Sequence, residues 1–366
     1  MGDTKGASSL PDYVSPPGET LREVLKAVGM PQGDLATRMG MAEKTISEIV
    51  NGKAPITPDT AVGLERVLGV PARFWMKREQ DYREHLARAR DATELAGQVR
   101  WLQKVPVSAL VRLGWIQGRR DKVQQLEEVL AFFGVSSLAA WKGCWLGTRP
   151  AVRLRSSAVF QKDPLAVAAW LRRGEVQAQD VECGRYDAGS FAAALRQARA
   201  LSLKQPPQFL PTLVRTCAAS GVAIVLTRPL PKIRISGAAR WLSPVHALLQ
   251  LSLRHRTDDH FWFSFFHEAA HVVLHGKKRT FVDETERGDG ERAEDEANCF
   301  AENHLLPRAQ YNAFVAGRQF FSEADVRGLA DRLCVAPGIV VGRLQHDGRV
   351  PFRNLNGLKA KLCWPA

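Results

Sequence analysis

The sequence predicts a mostly helical α+β protein with more than one domain. Three observations carry this. Apolar residues recur at helical spacing from residue 17 to about 84, interrupted by glycines. Further helical stretches fill residues 85–204. After residue 205 the period changes to short β-branched runs, which are followed again by helices. At 366 residues the chain also exceeds the roughly 250–300 at which a single core stops growing.

The expected organisation is a flexible tail over 1–16, an all-helical domain over 17–84, a basic helical middle over 85–204, and an α+β domain over 205–366. In the second part, "GETLREVLKAVG" reads as one amphipathic helix ending at Gly29. "MPQGDLATRMGMAEKTISEIVNGK" then reads as a short helix, a turn at Gly40 and a second helix ending near Asn51. Leu35, Ala36, Ile46 and Ile49 fall where two crossed short helices bury them, a helix-turn-helix arrangement. Thr57-Pro58 opens a further helix, with proline at its first position.

In the middle, "KVQQLEEVLAFFGV" and "DPLAVAAWLRRGEVQAQ" are the clearest helices, and no catalytic motif stands out. The prolines of "SLKQPPQFLP" read as a domain boundary. "GVAIVLT", "KIRISGAARWL" and "HALLQLSLR" read as strands, and "FSEADVRGLADRLCVAPGIVVGRLQHDG" as helix, turn, helix around Leu329, Val335 and Val341. Arg343 and His346 in that tail are either structural or within reach of a substrate chain.

No apolar run approaches the roughly 20 residues that span a bilayer, and the first residues lack the apolar core of a secretion signal, so no membrane partner is expected. Six cysteines without a C-x-x-C pair argue against a disulfide framework and fit a reducing cytoplasm. The net charge is +13, and the whole excess lies in residues 101–260. That region is a surface for an anionic partner or a solvated basic face.

The densest chemistry is "FHEAAHVVLHG", where His267, Glu268 and His271 match H-E-x-x-H. Residues four apart share one helix face, so His267 and His271 can grip one ion with Glu268 beside its water. Zinc suits two imidazoles and a carboxylate, and leaves a position for water. The aromatic run Phe261 to Phe266 upstream implies a buried helix, in which unpartnered histidines and a glutamate would be costly. The third ligand is expected from "ERAEDEANCFAENHLLP", where Glu291, Glu294, Asp295 and Glu296 compete. Small Ala297 and Asn298 beside Glu296 suit close packing, but spacing alone leaves the choice open. His275 extends the row without the glycine turn that would make it a ligand, so a role at the helix C-terminus is expected, with Gly276 and the following Lys-Lys-Arg ending the helix.

These two motifs, with the tail "APGIVVGRLQHDGRVP", resemble the ImmA/IrrE family of zinc metallopeptidases, bacterial regulatory proteases found beside repressors and toxin-antitoxin systems. The resemblance covers about residues 205–364. It implies a gluzincin-like α+β fold, zinc held by His267, His271 and Glu296, Glu268 as general base, and cleavage of a protein substrate. The segment from Pro17 to about Arg83 resembles HigA-type antitoxins of the XRE helix-turn-helix class, which implies a homodimer on operator DNA. On that resemblance Lys44, Thr45, Ser47 and Glu48 reach base edges, Asn51 and Lys53 lie near the backbone, and Gln32 meets a phosphate. The balanced charge of residues 1–100 keeps a helix-turn-helix used only for dimerisation as the alternative to DNA binding.

Together these readings describe a cytoplasmic bacterial regulator that couples operator binding to cleavage of a partner repressor, antitoxin or toxin, or of another copy of itself. The alternative is a repressor or antitoxin whose zinc domain senses or docks.

Overall fold

The computed structural model describes residues 14–146, 163–231, 233–275 and 289–364. The expected tail up to residue 13, Gly276 and the basic residues after it lie outside these. The chain divides into two compact units, Met1–Val99 and Arg100–Ala366.

The first unit is a small all-helical bundle: α1 (Pro17–Val28), α2 (Gln32–Met39), α3 (Glu43–Val50), α4 (Pro58–Leu68) and the long α5 (Ala72–Ala96). Leu35, Ala36, Ile46 and Ile49 are buried, as their spacing predicts, together with Leu21, Leu25, Leu64 and Trp75. Gly40 ends α2 in the left-handed region, at φ 65°, which a Cβ disfavours. Thr57 caps α4 by accepting from the Thr60 N–H at 3.2 Å, with Pro58 at the first helical position. Gly18 is required for a different reason: a Cβ there would meet the carbonyl oxygens of Ile49 and Val50 within 2.4 Å, where α1 crosses the end of α3. Glu79 on α5 is buried, yet it accepts from the Ile56 N–H at 3.1 Å and pairs with Arg83, so its charge is compensated.

The second unit begins with α6 (Val107–Arg112), α7 (Lys122–Phe133), α8 (Leu138–Trp141), α9 (Pro164–Ala178), α10 (Ala188–Leu201) and α11 (Pro206–Ala219). Three strands follow: β1 (Val222–Leu226), β2 (Gly237–Ser243) and β3 (His246–Leu251), and then α12 (Asp258–Leu274), α13 (Asp289–Leu305), α14 (Arg308–Val315), α15 (Glu323–Leu333) and α16 (Pro337–His346). The sheet order is β1-β3-β2, with β1 parallel and β2 antiparallel to β3. In the expected second strand, Ile233 to Ser236 are not strand and pairing starts at Gly237, while Lys232 lies outside the described residues.

The sheet is covered on both faces, and the strand period of two shows how. Val222, Ile224, Ala247, Leu249 and Leu251 join the core formed with α10, α11 and α12. Ala223, Val225 and Leu248 point the other way, onto Ala178 of α9. On that side Gln250 donates to the Trp170 carbonyl, and Arg240 donates to that of Leu171 and pairs with Glu175 at 2.9 Å. A helix of the expected middle region is therefore one layer of the sheet's own unit. "SLKQPPQFLP", read from its prolines as a boundary, instead opens α11. Pro206 sits in the first turn, where a missing N–H costs little, and Phe209 and Leu213 are buried in the shared core.

The start of α12 is held by the chain's last segment. Asp258 N–H donates to the Ala360 carbonyl and its carboxylate accepts from the Ala360 N–H, while Lys359 pairs with Asp259 at 2.6 Å. Gly338 and Gly342 let α16 approach, since a Cβ on either would press on the Asp258 or Asp259 carboxylate. Leu329, Val335 and Val341 pack the α15–α16 pair into the core as expected. Arg343 is tied to Glu302 and Asp347, and His346 is exposed.

Candidate metal centre

The site lies between α12 and α13. Burial of Phe261, Phe265, Phe266, Ala269 and Val272 sets the inner face of α12 and leaves His267 and His271 on one side, a turn apart. Their Nε2 atoms face each other at 3.2 Å. A carboxylate completes the group: Glu294 Oε2 is 3.1 Å from His267 Nε2, and Oε1 is 3.5 Å from His271 Nε2. One ligand atom from each of His267, His271 and Glu294 lies within 4.8 Å of the others, close enough for all three to reach one cation.

The expected Glu296 is placed elsewhere. Its carboxylate lies 3.1 Å from His275 Nε2 and 3.4 Å from Arg292 Nε. The reason is helix geometry. Ala293, Ala297 and Ala301 form the buried stripe of α13, and at 100° per residue Glu294 and Glu296 fall on opposite sides of it. Glu294 shares a face with Asn298, one turn on, whose Oδ1 is 3.0 Å from His267 Nδ1. Of the other candidates, Asp295 is exposed, and the side chain of Glu291 lies outside the described residues.

The donor set fits a cation. When His267 Nδ1–H donates to Asn298, the Nε2 lone pair is left free to point inward. The surroundings also favour positive charge at His267. Its pKa is raised: burial pulls it down, but the Glu294 hydrogen bond and the charges of Glu268 and Glu294 outweigh that. Two lone pairs and a carboxylate converging in this way match the nitrogen and oxygen donors zinc takes.

Glu268 sits on the other side of His267, buried under β2. Burial raises its pKa to about 7, opposed by His267, reinforced by Glu294 and opposed again by the Ala239 N–H that donates to it. A carboxyl poised near neutrality suits proton transfer in both directions. The close packing needs a glycine, because a Cβ on Gly237 would lie 2.6 Å from Glu268 Cγ. Gly237 carries no motif that marks such a role. Asn298 enters the sequence reading only as a packing neighbour of Glu296, and its place one turn after Glu294 is the signal for its contact with His267.

Residues 225–345 match the IrrE N-terminal-like domain of the M78 peptidases, and residues 21–75 match a helix-turn-helix family. The chain joins a helix-turn-helix domain to an IrrE-like domain. The H-E-x-x-H helix, α13 and the sheet all fall wholly or largely within the second match. Among curated proteins the chain is similar to virulence-associated protein I of Dichelobacter nodosus, 39% identical over 67 residues, 18% of this chain and 62% of that protein. It is also similar to the uncharacterized HTH-type transcriptional regulator YddM of Escherichia coli K12, 32% identical over 60 residues, 16% of this chain and 64% of that one. In both cases it spans less than two thirds of the relative's length. A solved addiction module antidote protein of the HigA family from Coxiella burnetii is 26% identical, with 23% of this chain and 94% of that one covered and a TM-score of 0.22.

In the helix-turn-helix domain, α3 buries Ile46, Ile49 and Val50 and turns its polar face outward. Lys44, Ser47, Glu48 and Asn51 share that face by helical spacing, with the Lys44 side chain 86% exposed and 3.9 Å from Glu48. Thr45 and Gln32 are half-buried at the starts of α3 and α2, and Lys53 is exposed beyond α3. The Asn51 amide donates to the Ser47 carbonyl at 2.8 Å, which caps α3.

Proposed function

We propose that this chain is a bacterial cytoplasmic regulator whose IrrE-like domain is a zinc-dependent endopeptidase acting on a partner repressor, antitoxin or toxin, or on another copy of itself. The observation that carries it is the convergence of His267, His271 and Glu294 beside the buried Glu268. His267, His271 and Glu294 would hold the ion. When bound, it would supply Lewis acidity at a peptide carbonyl and lower the pKa of water toward about 7. Glu268 takes the proton that water loses and delivers it to the departing amine. Asn298 keeps the His267 ring oriented. β2 is an edge strand among the described residues, and it packs directly on Glu268, so an extended substrate chain can pair along it and present its backbone to the site.

Candidate partners, taken from proteins encoded beside this one, are to be incubated with the intact chain and with Glu268→Gln. The parent should cleave, and the variant should be slower by about 10²–10⁴-fold. Equal cleavage by both, or none of any partner, removes the reading.

The helix-turn-helix domain supports operator binding as a dimer, with α3 in the major groove and Lys44, Thr45, Ser47 and Glu48 at base edges. A second reading makes this the whole function, with the metal site a sensor or docking module. The fused helix-turn-helix domain favours it, and a parent chain that footprints its operator yet cleaves no candidate partner would support it.

A further inference from the structure

We infer that His275 and Glu296 are positioning residues for the metal site, a relay that sets the tautomer of His271. This rests on the metal reading above. His271 Nδ1 lies 3.0 Å from His275 Nδ1, and His275 Nε2 lies 3.1 Å from Glu296 Oε2. A contact between two ring nitrogens needs one proton, so one ring donates and the other accepts. If neutral His271 is to turn an Nε2 lone pair toward His267 and Glu294, its proton must be on Nδ1. That proton then points at His275 Nδ1, which must accept. His275 consequently carries its own proton on Nε2, where a carboxylate receives it.

The far end of the relay is anchored, since Arg292 Nε reaches the other Glu296 oxygen at 3.4 Å. Burial makes the arrangement specific. The His275 side chain is only 3% exposed, so water does not readily replace either partner. The two histidines of the site are thus oriented by different devices, His267 by the Asn298 amide and His271 through a second imidazole and a carboxylate. Outer partners of this kind fix ring orientation and raise ligand basicity. The relay also accounts for why a second acidic residue stands two positions from Glu294 on the opposite side of the α13 stripe.

The experiment uses the full chain stripped of metal, with zinc affinity read by chelator competition and the His271 tautomer read by long-range ¹⁵N–¹H correlation. His275→Leu and Glu296→Ala are expected to weaken zinc binding about 10–100-fold. They should also move His271 away from a single Nδ1–H tautomer in the metal-free protein. Glu296→Gln keeps an acceptor for His275 Nε2–H and should stay within a few-fold of the parent. Thermal unfolding without metal verifies that each variant is folded. Should His275→Leu fail to fold, the half-exposed Glu296 carries the test. Parental affinity and an unmoved tautomer in Glu296→Ala overturn the relay. A parent that binds zinc no better than His267→Ala, with the tautomer still moved by Glu296→Ala, overturns the metal reading and leaves the relay standing.

Discussion

Glu294 and Glu296 differ by two positions in sequence and by their side of a helix in space. That distinction decides which carboxylate meets the histidines. Glu294→Gln should therefore lower zinc affinity by on the order of a hundredfold or more, at or beyond the top of the ~10–100-fold range of outer-partner losses. Glu296→Gln should leave it nearly unchanged, and titration against a chelator of known affinity separates the two. Gly237 makes a second residue-scale point. A Cβ there meets Glu268 at 2.6 Å, so Gly237→Ala should destabilise the chain by about 1–3 kcal/mol, measured as a lower midpoint in urea with an unchanged slope. A parental midpoint would show that β2 is free to shift away from α12.

At the scale of elements, the position of α12 depends on its first turn. Asp258 is buried there beside Asp259 and Lys359, and burial, then the Asp259 charge, raise its pKa to about 6. A carboxyl with a folded pKa above its unfolded value contributes stability fully below about pH 3.8 and loses it as the pH rises through 6, on the order of 3 kcal/mol. Asp258→Asn keeps the acceptor for the Asp259 and Ala360 N–H groups but cannot ionise. Its stability relative to the parent should rise between pH 4 and 6 and level off near pH 7. Denaturant unfolding at several pH values reads this difference, and a flat difference would mean that the carboxyl titrates as in the unfolded chain. The H-E-x-x-H helix was legible because its spacing and aromatic flank are local. Its clamp was not, because Asp258 and Ala360 lie a hundred residues apart and no periodicity links them.

At the scale of the molecule, the helix-turn-helix unit and the IrrE-like domain belong to separate compact units. Operator binding should therefore respond to α3 and not to the metal site. In the intact chain Lys44→Ala and Thr45→Ala are each expected to weaken specific operator binding by about tenfold, within the ~1–3 kcal/mol of a base contact. Glu268→Gln should leave it unchanged. Electrophoretic shifts at two salt concentrations test this, and binding unaffected by either α3 substitution would assign the domain to dimerisation. The part of the domain plan that was hard to read was the middle. α9 is buried all round from Leu165 to Leu171, so its period marks no single partner face, and only the strand faces it covers reveal that it belongs with the sheet.

The sequence by itself determined the helical N-terminal core, the H-E-x-x-H face of α12 and the helix-turn-helix tail, because each follows from a period of 3.6 within a dozen residues. Only the tertiary structure decided that Glu294 faces the histidines, that His275 and Glu296 stand behind them, and that Gly237 and Asn298 touch the site. Those contacts depend on the angular phase of one helix against another and on a strand packed on α12, and no short-range pattern encodes either.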